Sequence, residues 1–419
     1  VILMLFSSIF NYYMGTELER LYYDDRKQKI NLIFSIIINL AVLVFFKYYG
    51  FLLNTIGGII GIHIPHPELS LPIGLSFYTF RNLSYLFDIY LSKVSAQRNF
   101  LTFAVYSTMF PYTSAGPIVR YTDIETQLKQ RTINISKFGI GAELFVKGLA
   151  KKVLLADNLS VLYSSICGHP QMSVFTSWLG ILAYTMQLYF DFSGYSDMAI
   201  GLGKMLGFDY NKNFDYPYIS TSVSEFWRRW HISLSTWFRE YLYIPLGGNR
   251  KGQVRTYVNL LIVFFATGLW HGAGATFIIW GLYHGLFLVV ERMGLGKLLE
   301  KNCFRGLNHI YTALVVVVGW VFFRADTLAD AKVILHQMFT WENGIYPASL
   351  FVNRKVIFLA VLGVLLSGIA QSICPKLREH LYEKEVTKTV DIVIMAVLLF
   401  LCTMYLVSST YNPFIYFRF

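Results

Sequence analysis

The sequence has few charged residues for its length. Asp, Glu, Lys and Arg make up 15% of its 419 residues, whereas soluble domains contain about 25%. Hydrophobic residues make up 55%, and many of them form runs that are long enough to cross a bilayer as a helix. This composition excludes an ordinary soluble domain and predicts an all-α, polytopic membrane protein in contact with lipid. We expect residues 1–419 to form a single membrane domain.

Motifs for metals, disulfides and bound cofactors are also missing. The four cysteines show no CxxC pairing, and the nine histidines show no HExxH or HxxxH spacing. We therefore expect neither a metal site nor a bound cofactor. There is no visible signal peptide, and the chain begins at Val1 inside the apolar run VILMLFSSIF. This start predicts that further N-terminal helices precede the sequence.

The net charge of +11 is explained by topology. Lys and Arg are spread over the segments between apolar runs, where such residues mark cytoplasmic loops. A basic patch for nucleic acid is therefore not expected.

The basic segments also indicate where the chain turns back. Residues 100–119 are apolar, contain two prolines and a glycine, and have basic residues on both sides, which predicts a broken, re-entrant element. Residues 256–291 also have basic residues at both ends, so they must enter the membrane and return, with the turn near residues 268–274. A limb of about 15 residues reaches roughly 22 Å. This places His271 deep in the membrane-embedded part.

A long helix is predicted over residues 174–206, and it carries QLYFDFSGYSDMAIGLG. Tyr189, Asp191 and Asp197 are the candidate site residues on it, and carboxylates in so apolar a segment need partners. One interpretation is that the carboxylates bond Arg, Trp or backbone groups and fix helix packing. The other is that they line a reaction cavity and orient a histidine.

His271 stands in the sequence LWHGAGA, next to Trp270. A buried neutral imidazole can take a proton from a hydroxyl or thiol nucleophile, and the glycines let a substrate approach the backbone. The alternative is a packed histidine bonded to a neighbouring helix, which is also our interpretation of His284.

The most basic stretch is EFWRRWHISLSTWFREYLYIPLGGNRKG. If it is a continuous helix, Trp227 and His231 share one face, and Arg228, Ser235 and Arg239 share the next. Arginines at the cytoplasmic rim could hold the phosphates of an acyl donor, or they could only anchor the protein at the membrane surface. The candidate donor-binding residues here are Trp227, Arg228, Arg229, Trp230, Ser233, Ser235 and Arg239.

Five stretches together resemble the membrane-bound O-acyltransferase (MBOAT) superfamily. Two of them are given above: the most basic stretch and the motif on the predicted helix over residues 174–206. The other three are LWHGAGATFIIWGLYHG, LPIGLSFYTF and FPYTSAGPIVRY. The resemblance covers nearly the whole chain and is strongest to members that O-acetylate alginate, peptidoglycan and cellulose. It implies a ring of tilted helices with re-entrant segments around a central tunnel. It also implies that His271 is the catalytic base and that His231 is the family's second polar position.

The resemblance further implies a function. An acetyl group passes from a cytoplasmic donor, expected to be acetyl-CoA, through the bacterial cell membrane to the outside. There, a partner transferase of the SGNH-hydrolase type attaches it to a polysaccharide.

Residues 408–419 are expected to form an external aromatic tail that ends in FIYFRF. This ending resembles the C-terminal motif of a small partner protein of the related teichoic-acid D-alanylation system. A phenol oxygen can be acylated when a base removes its proton, so Tyr416 is a candidate acyl relay. The alternative is an aromatic anchor at the membrane surface.

Two other functions stay open at this point. The donor could be an acyl or D-alanyl carrier protein instead of acetyl-CoA. The protein could also be a transporter without enzymatic activity, because broken helices and buried carboxylates fit one, although the sequence shows no repeated halves.

Overall fold

A computed structural model describes residues 2–67, 69–167, 169, 171–301, 305–341, 344–374 and 389–408. These residues are predominantly helical, and no named β-strand occurs among them. The chain divides into two compact units, one of residues 1–134 with 206–211 and one of residues 135–205 with 212–419.

Five α-helices form most of the described part of the first unit. They are α1 (Ile2–Arg20), α2 (Asp25–Ile60), α3 (Leu75–Tyr90), α4 (Phe100–Thr108) and α5 (Tyr121–Lys129). α1 packs against α2, α3 and α4, and its buried Asn11 exchanges two hydrogen bonds with Asn39 of α2, at 3.0 and 2.9 Å. Such amide pairs join apolar helices where water does not compete.

The predicted break within residues 100–119 is confirmed. α4 ends at Thr108, and a short 3₁₀ turn follows at Phe110–Tyr112. The fully buried Arg81 of α3 donates to the main-chain carbonyls of Tyr112 at 2.6 Å and Ser107 at 2.8 Å. The buried guanidinium thus satisfies carbonyls near the point where the helix stops. The re-entrant path of this segment through a membrane stays a prediction.

The second unit contains every candidate site residue that the structure describes. Its helices are α6 (Ile135–Ala150), α7 (Asp157–Cys167), α8 (Val174–Met205), α9 (Val223–Arg229), α10 (Ile232–Phe238), α11 (Gln253–His271), α12 (Ala275–Val290), α13 (Gly296–Leu299), α14 (Arg305–Arg324), α15 (Leu328–Phe339), α16 (Arg354–Val364), α17 (Ala370–Ile373) and α18 (Thr389–Ser408). The observed bounds of α8 confirm the helix that was predicted over residues 174–206.

The two carboxylates of α8 pair with lysines. Asp191 lies 2.7 Å from Nζ of Lys152, and Asp197 lies 2.6 Å from Nζ of Lys151. Both lysines belong to a π-helical turn, Lys151–Ala156, that joins α6 to α7. Lysines are partners that neither interpretation of these carboxylates had named. A role in a reaction cavity stays a prediction. Mutual neutralisation is the reason for the pairing, since an isolated charge in an apolar interior is costly.

Residues 256–291 form the predicted hairpin. α11 and α12 pack side by side, and the connection at residues 272–274 lies within the predicted turn. A side chain at Gly281 would meet the carbonyl of Phe264 at 2.2 Å, and one at Gly268 would meet that of Phe277 at 2.4 Å. Glycine at these two positions therefore allows the close approach of the two helices.

Four of the described helical segments are long and apolar enough to cross a membrane: Asp25–Ile60, Ala275–Leu299, Arg305–Arg324 and Val390–Ser408. Together with the helical content, they confirm the prediction of an all-α, multi-pass membrane protein. The ring of helices around a tunnel stays a prediction.

Candidate functional site

His271 is the last residue of α11, at the turn of the hairpin. Its side chain is only 5% exposed. The ring centroid lies 4.9 Å from that of Trp270, 5.0 Å from Trp280 and 5.1 Å from Phe323. An aromatic shell of this kind keeps bulk water away from the imidazole. The C-terminal end of a helix also carries partial negative charge, which stabilises an imidazole that has accepted a proton.

His231 lies at a break in the chain, between α9 and α10. Its backbone is left-handed, with φ 43° and ψ 55°. A side chain bearing Cβ adopts this conformation at a cost of about 1–2 kcal/mol. The stretch is therefore not one continuous helix, and the shared face that such a helix would give Trp227 and His231 does not form. The break turns the His231 ring into the core, where it is 1% exposed and packs on Phe192 at 4.7 Å.

The two histidines are brought together by Trp270. The indole lies next to His271 in sequence, and its ring centroid is 6.2 Å from that of His231. Trp227, Trp230 and Tyr189, also named from the sequence, are buried in the same aromatic cluster.

Burial and a fixed hydrogen bond define the state of His231. Burial lowers the pKa of His231 to about 3, so its ring is neutral near pH 7. Nδ1 lies 3.2 Å from Oδ1 of Asn213. Ser233, another predicted site residue, donates from Oγ to the same oxygen at 2.9 Å. No sequence motif indicates Asn213, because it stands in an irregular segment 18 residues before His231.

The three arginines that were named as candidate donor-binding residues have different environments. Arg229 is bound to Glu225 at 2.8 Å and lies 3.4 Å from Asp215, while Arg228 is exposed. Arg239 is also largely exposed and lies 3.6 Å from Glu240. Ser235 is half-buried on α10.

Arg229 lines a cavity of about 630 Å³. The cavity is also lined by Lys301, Arg305 and His309, which lie near and within the start of α14. Among its described lining residues, the three basic side chains, Arg229, Lys301 and Arg305, outnumber the two carboxylates, Glu225 and Glu300. In the sequence, the basic residues of this region indicate only the membrane topology. Arg228 and Arg239 are not among the described residues that line it.

The cavity adjoins the aromatic cluster through Tyr218. This residue lines the cavity, and its hydroxyl accepts a hydrogen bond from Nε1 of Trp320 at 3.2 Å. Its ring is 6.2 Å from that of Trp230. The basic cavity therefore adjoins the aromatic cluster that surrounds the two histidines.

Glu291 is a second residue that the sequence analysis missed. Its buried carboxylate accepts hydrogen bonds from the backbone N–H groups of Val223 and Ser224, at 2.6 and 2.9 Å, and from the Ser224 hydroxyl at 2.6 Å. The Tyr311 hydroxyl lies 3.3 Å away. Glu291 thereby satisfies the first N–H groups of α9, the helix that carries Trp227 and Arg229. In the sequence it was only the end of an apolar run.

Tyr416 lies outside the described residues. The described residues that precede it in the sequence belong to α18, which ends at Ser408. There the Tyr405 ring contacts the ammonium group of Lys355, at 5.7 Å.

Comparison with known proteins gives consistent matches. The sequence model of a protein family, described as MBOAT, membrane-bound O-acyltransferase family, matches residues 2–329. These residues include both His231 and His271. The chain is 44% identical over 349 residues to the probable alginate O-acetylase AlgI of Pseudomonas aeruginosa, covering 81% of this chain and 67% of that protein. It is 33% identical over 465 residues to the peptidoglycan O-acetyltransferase of Helicobacter pylori, covering 100% of this chain and 87% of that protein. It is 29% identical over 279 residues to the teichoic acid D-alanyltransferase of Bacillus subtilis, covering 62% of this chain and 68% of that protein.

The hydrogen bonds by which Glu291 holds the N-terminus of α9 can be tested with Glu291→Gln. The amide presents an N–H₂ group where an acceptor is needed, and hydrogen bonds to a charged group contribute about 1.5–3 kcal/mol. We expect a lower melting temperature and a loss of acyl-transfer turnover of about 10- to 100-fold. Tyr311→Phe, which removes only the 3.3 Å contact, is the control and should change both quantities far less. Normal stability and turnover in Glu291→Gln would contradict the assignment.

Proposed function

The chain belongs to the membrane-bound O-acyltransferase family, and from that premise we propose that it transfers an acetyl group from a cytoplasmic donor towards an exported or cell-wall polysaccharide. The polymer is suggested by the names of its relatives, an alginate O-acetylase and a peptidoglycan O-acetyltransferase. The observation that carries the proposal is the arrangement of two buried histidines around Trp270, next to a basic cavity.

In this proposal His271 is the general base. Its imidazole takes the proton of the attacking hydroxyl, and the hydroxyl oxygen bonds to the acetyl carbonyl carbon. The carbon–sulfur bond of the donor thioester breaks, and the thiolate recovers the proton from the imidazolium. The surrounding indole and phenyl rings exclude water, which would otherwise hydrolyse the thioester.

The donor is acetyl-CoA, and the basic cavity is where we place its phosphates. Guanidinium and ammonium groups bind phosphate through charge-assisted hydrogen bonds, and Arg229, Lys301 and Arg305 line this space. The similarity to a D-alanyltransferase supports a carrier-bound donor as the second candidate. We favour acetyl-CoA because the identity to the acetyl-transferring relatives is higher.

We further propose that the chain works in a bacterial cell membrane, with its C-terminal tail outside. Its relatives named above are bacterial proteins. An extracytoplasmic transferase of the SGNH-hydrolase type is the proposed partner that finally acetylates the polymer.

The role of His271 is tested by His271→Ala. Polymer O-acetylation should vanish while the protein still inserts and purifies normally, because the removed imidazole is the only base in the proposed step. The control is His336→Ala on α15, an exposed histidine, which should keep normal acetylation. Acetylation that persists in His271→Ala would exclude this base.

The donor is tested with a Lys301→Ala, Arg305→Ala double variant. The KM for acetyl-CoA should rise about 10-fold or more, since the loss of charge-assisted hydrogen bonds weakens phosphate binding. Acetyl-pantetheine, which lacks the nucleotide phosphates, should be used equally well by variant and parent. Lys297→Ala, an exposed neighbour that does not line the cavity, is the matched control. Transfer from an acyl carrier protein but not from labelled acetyl-CoA would favour the second candidate.

The acyl relay is tested by Tyr416→Phe. If the Tyr416 oxygen carries the acetyl group between donor and partner, the variant should lose polymer acetylation. Tyr411→Phe, in the same tail, should not. An aromatic anchor would keep its function with phenylalanine, so normal acetylation by Tyr416→Phe would leave only the anchoring role.

A further inference from the structure

Asn213 binds the segment around His231 through four contacts. Its main-chain carbonyl accepts from the N–H of Ile232 at 2.9 Å. Its side-chain Oδ1 accepts from the N–H and the hydroxyl of Ser233, at 3.2 and 2.9 Å, and lies 3.2 Å from Nδ1 of His231. Asn213 is itself held, because its Nδ2 donates to Oγ of Ser196 on α8 at 3.0 Å.

These contacts decide which His231 nitrogen carries the proton. The backbone N–H of Ser233 can only donate, so the atom of Asn213 that faces it must be the carbonyl oxygen. The same oxygen faces Nδ1 of His231. Two acceptors cannot share a hydrogen bond, and the Ser233 hydroxyl, 3.4 Å from Nδ1, already donates its one proton to Oδ1. We therefore assign the proton to Nδ1. A neutral imidazole carries one proton, and Nε2 is therefore an acceptor.

Nε2 is fully buried and has no hydrogen-bond partner in the part of the chain that the structure describes. A buried acceptor without a partner costs about 1–3 kcal/mol. The left-handed backbone at His231 adds a further free-energy cost of conformational strain. Two unfavourable features at one residue, maintained by one asparagine, indicate that the position of this nitrogen is functional.

We infer that Asn213 is a positioning residue that holds His231 in the Nδ1–H tautomer, so that Nε2 accepts a hydrogen bond from an O–H or N–H group of a substrate. This rests on the proposed acetyl transfer, in which two such groups reach the site. One is the hydroxyl of the acceptor, and the other is an amide N–H of the pantetheine arm of acetyl-CoA.

The tautomer can be measured without an activity assay. In the full-length protein labelled with ¹⁵N-histidine, long-range ¹H–¹⁵N spectra separate protonated from unprotonated ring nitrogens. The His231 signals are identified by their loss in His231→Gln. We expect Nδ1 to be protonated and Nε2 unprotonated, with the same result in Asn213→Asp, whose carboxylate still accepts. Asn213→Ala should lose this single tautomer. A protonated Nε2 in the parent, or no change in Asn213→Ala, would overturn the inference.

Kinetics then show what Nε2 binds. His231→Gln can place an amide oxygen near the Nε2 position, whereas His231→Asn replaces only Nδ1. We expect the Gln variant to be more active than the Asn variant by on the order of tenfold, the effect of one hydrogen bond. Backbone strain would favour the reverse order, because asparagine tolerates the left-handed conformation better.

The two substrates are distinguished by the constant that changes in His231→Asn. A higher KM for acetyl-CoA assigns the hydrogen bond to the donor amide, and slower transfer with an unchanged donor KM assigns it to the acceptor hydroxyl. Equal activity of parent, Gln and Asn variants would overturn the role of Nε2. If the parent protein transfers no acetyl group at all, the proposed function fails, while the tautomer measurement still decides the role of Asn213.

Discussion

The carboxylate of Glu291 satisfies the first backbone N–H groups of α9 in a region that excludes water. Helix ends at a protein surface are completed by water, but buried ones need an acceptor from the protein. Glu291 supplies this acceptor for Val223 and Ser224. The position of α9 then determines where Trp227 packs and where Arg229 meets the cavity.

Buried polar groups elsewhere follow the same constraint. Arg81 completes the carbonyls near the end of α4, and Lys152 neutralises Asp191. Around the histidines, in contrast, the neighbours are mostly aromatic rings. Within the second unit, the hydrogen bonds of Glu291 and the ion pair of Asp191 hold the helices, while the surroundings of the two histidines are mostly aromatic and of low polarity. Such an environment strengthens the electrostatic interactions of the few polar atoms that it contains.

Much of the architecture could be predicted from the sequence because its signals are local. Basic residues at both ends of an apolar run, with glycines between them, predicted the α11–α12 hairpin, and prolines predicted the break after α4. The resemblance of five motifs to the acyltransferase family is confirmed by the match over residues 2–329.

The features that the sequence did not reveal depend on distant partners. The break at His231 has no glycine or proline, because contacts from Asn213 hold the strained backbone in place. Lys151 and Lys152 look like cytoplasmic residues until the fold brings α8 beside them. Glu291 acquires its role only when α9 packs against it. Pairings of this kind are set by tertiary structure, which local periodicity cannot report.

The short connection at residues 272–274 has a mechanical consequence. α12 is a rod of roughly 24 Å, and one of its ends is joined to His271 by that connection. Its other end continues into Glu291, which holds α9 and, through it, Arg229 at the cavity. α12 therefore sets the distance between the turn that carries His271 and the carboxylate that holds α9 at the cavity. The two ends of the proposed reaction path share this one helix as their common support.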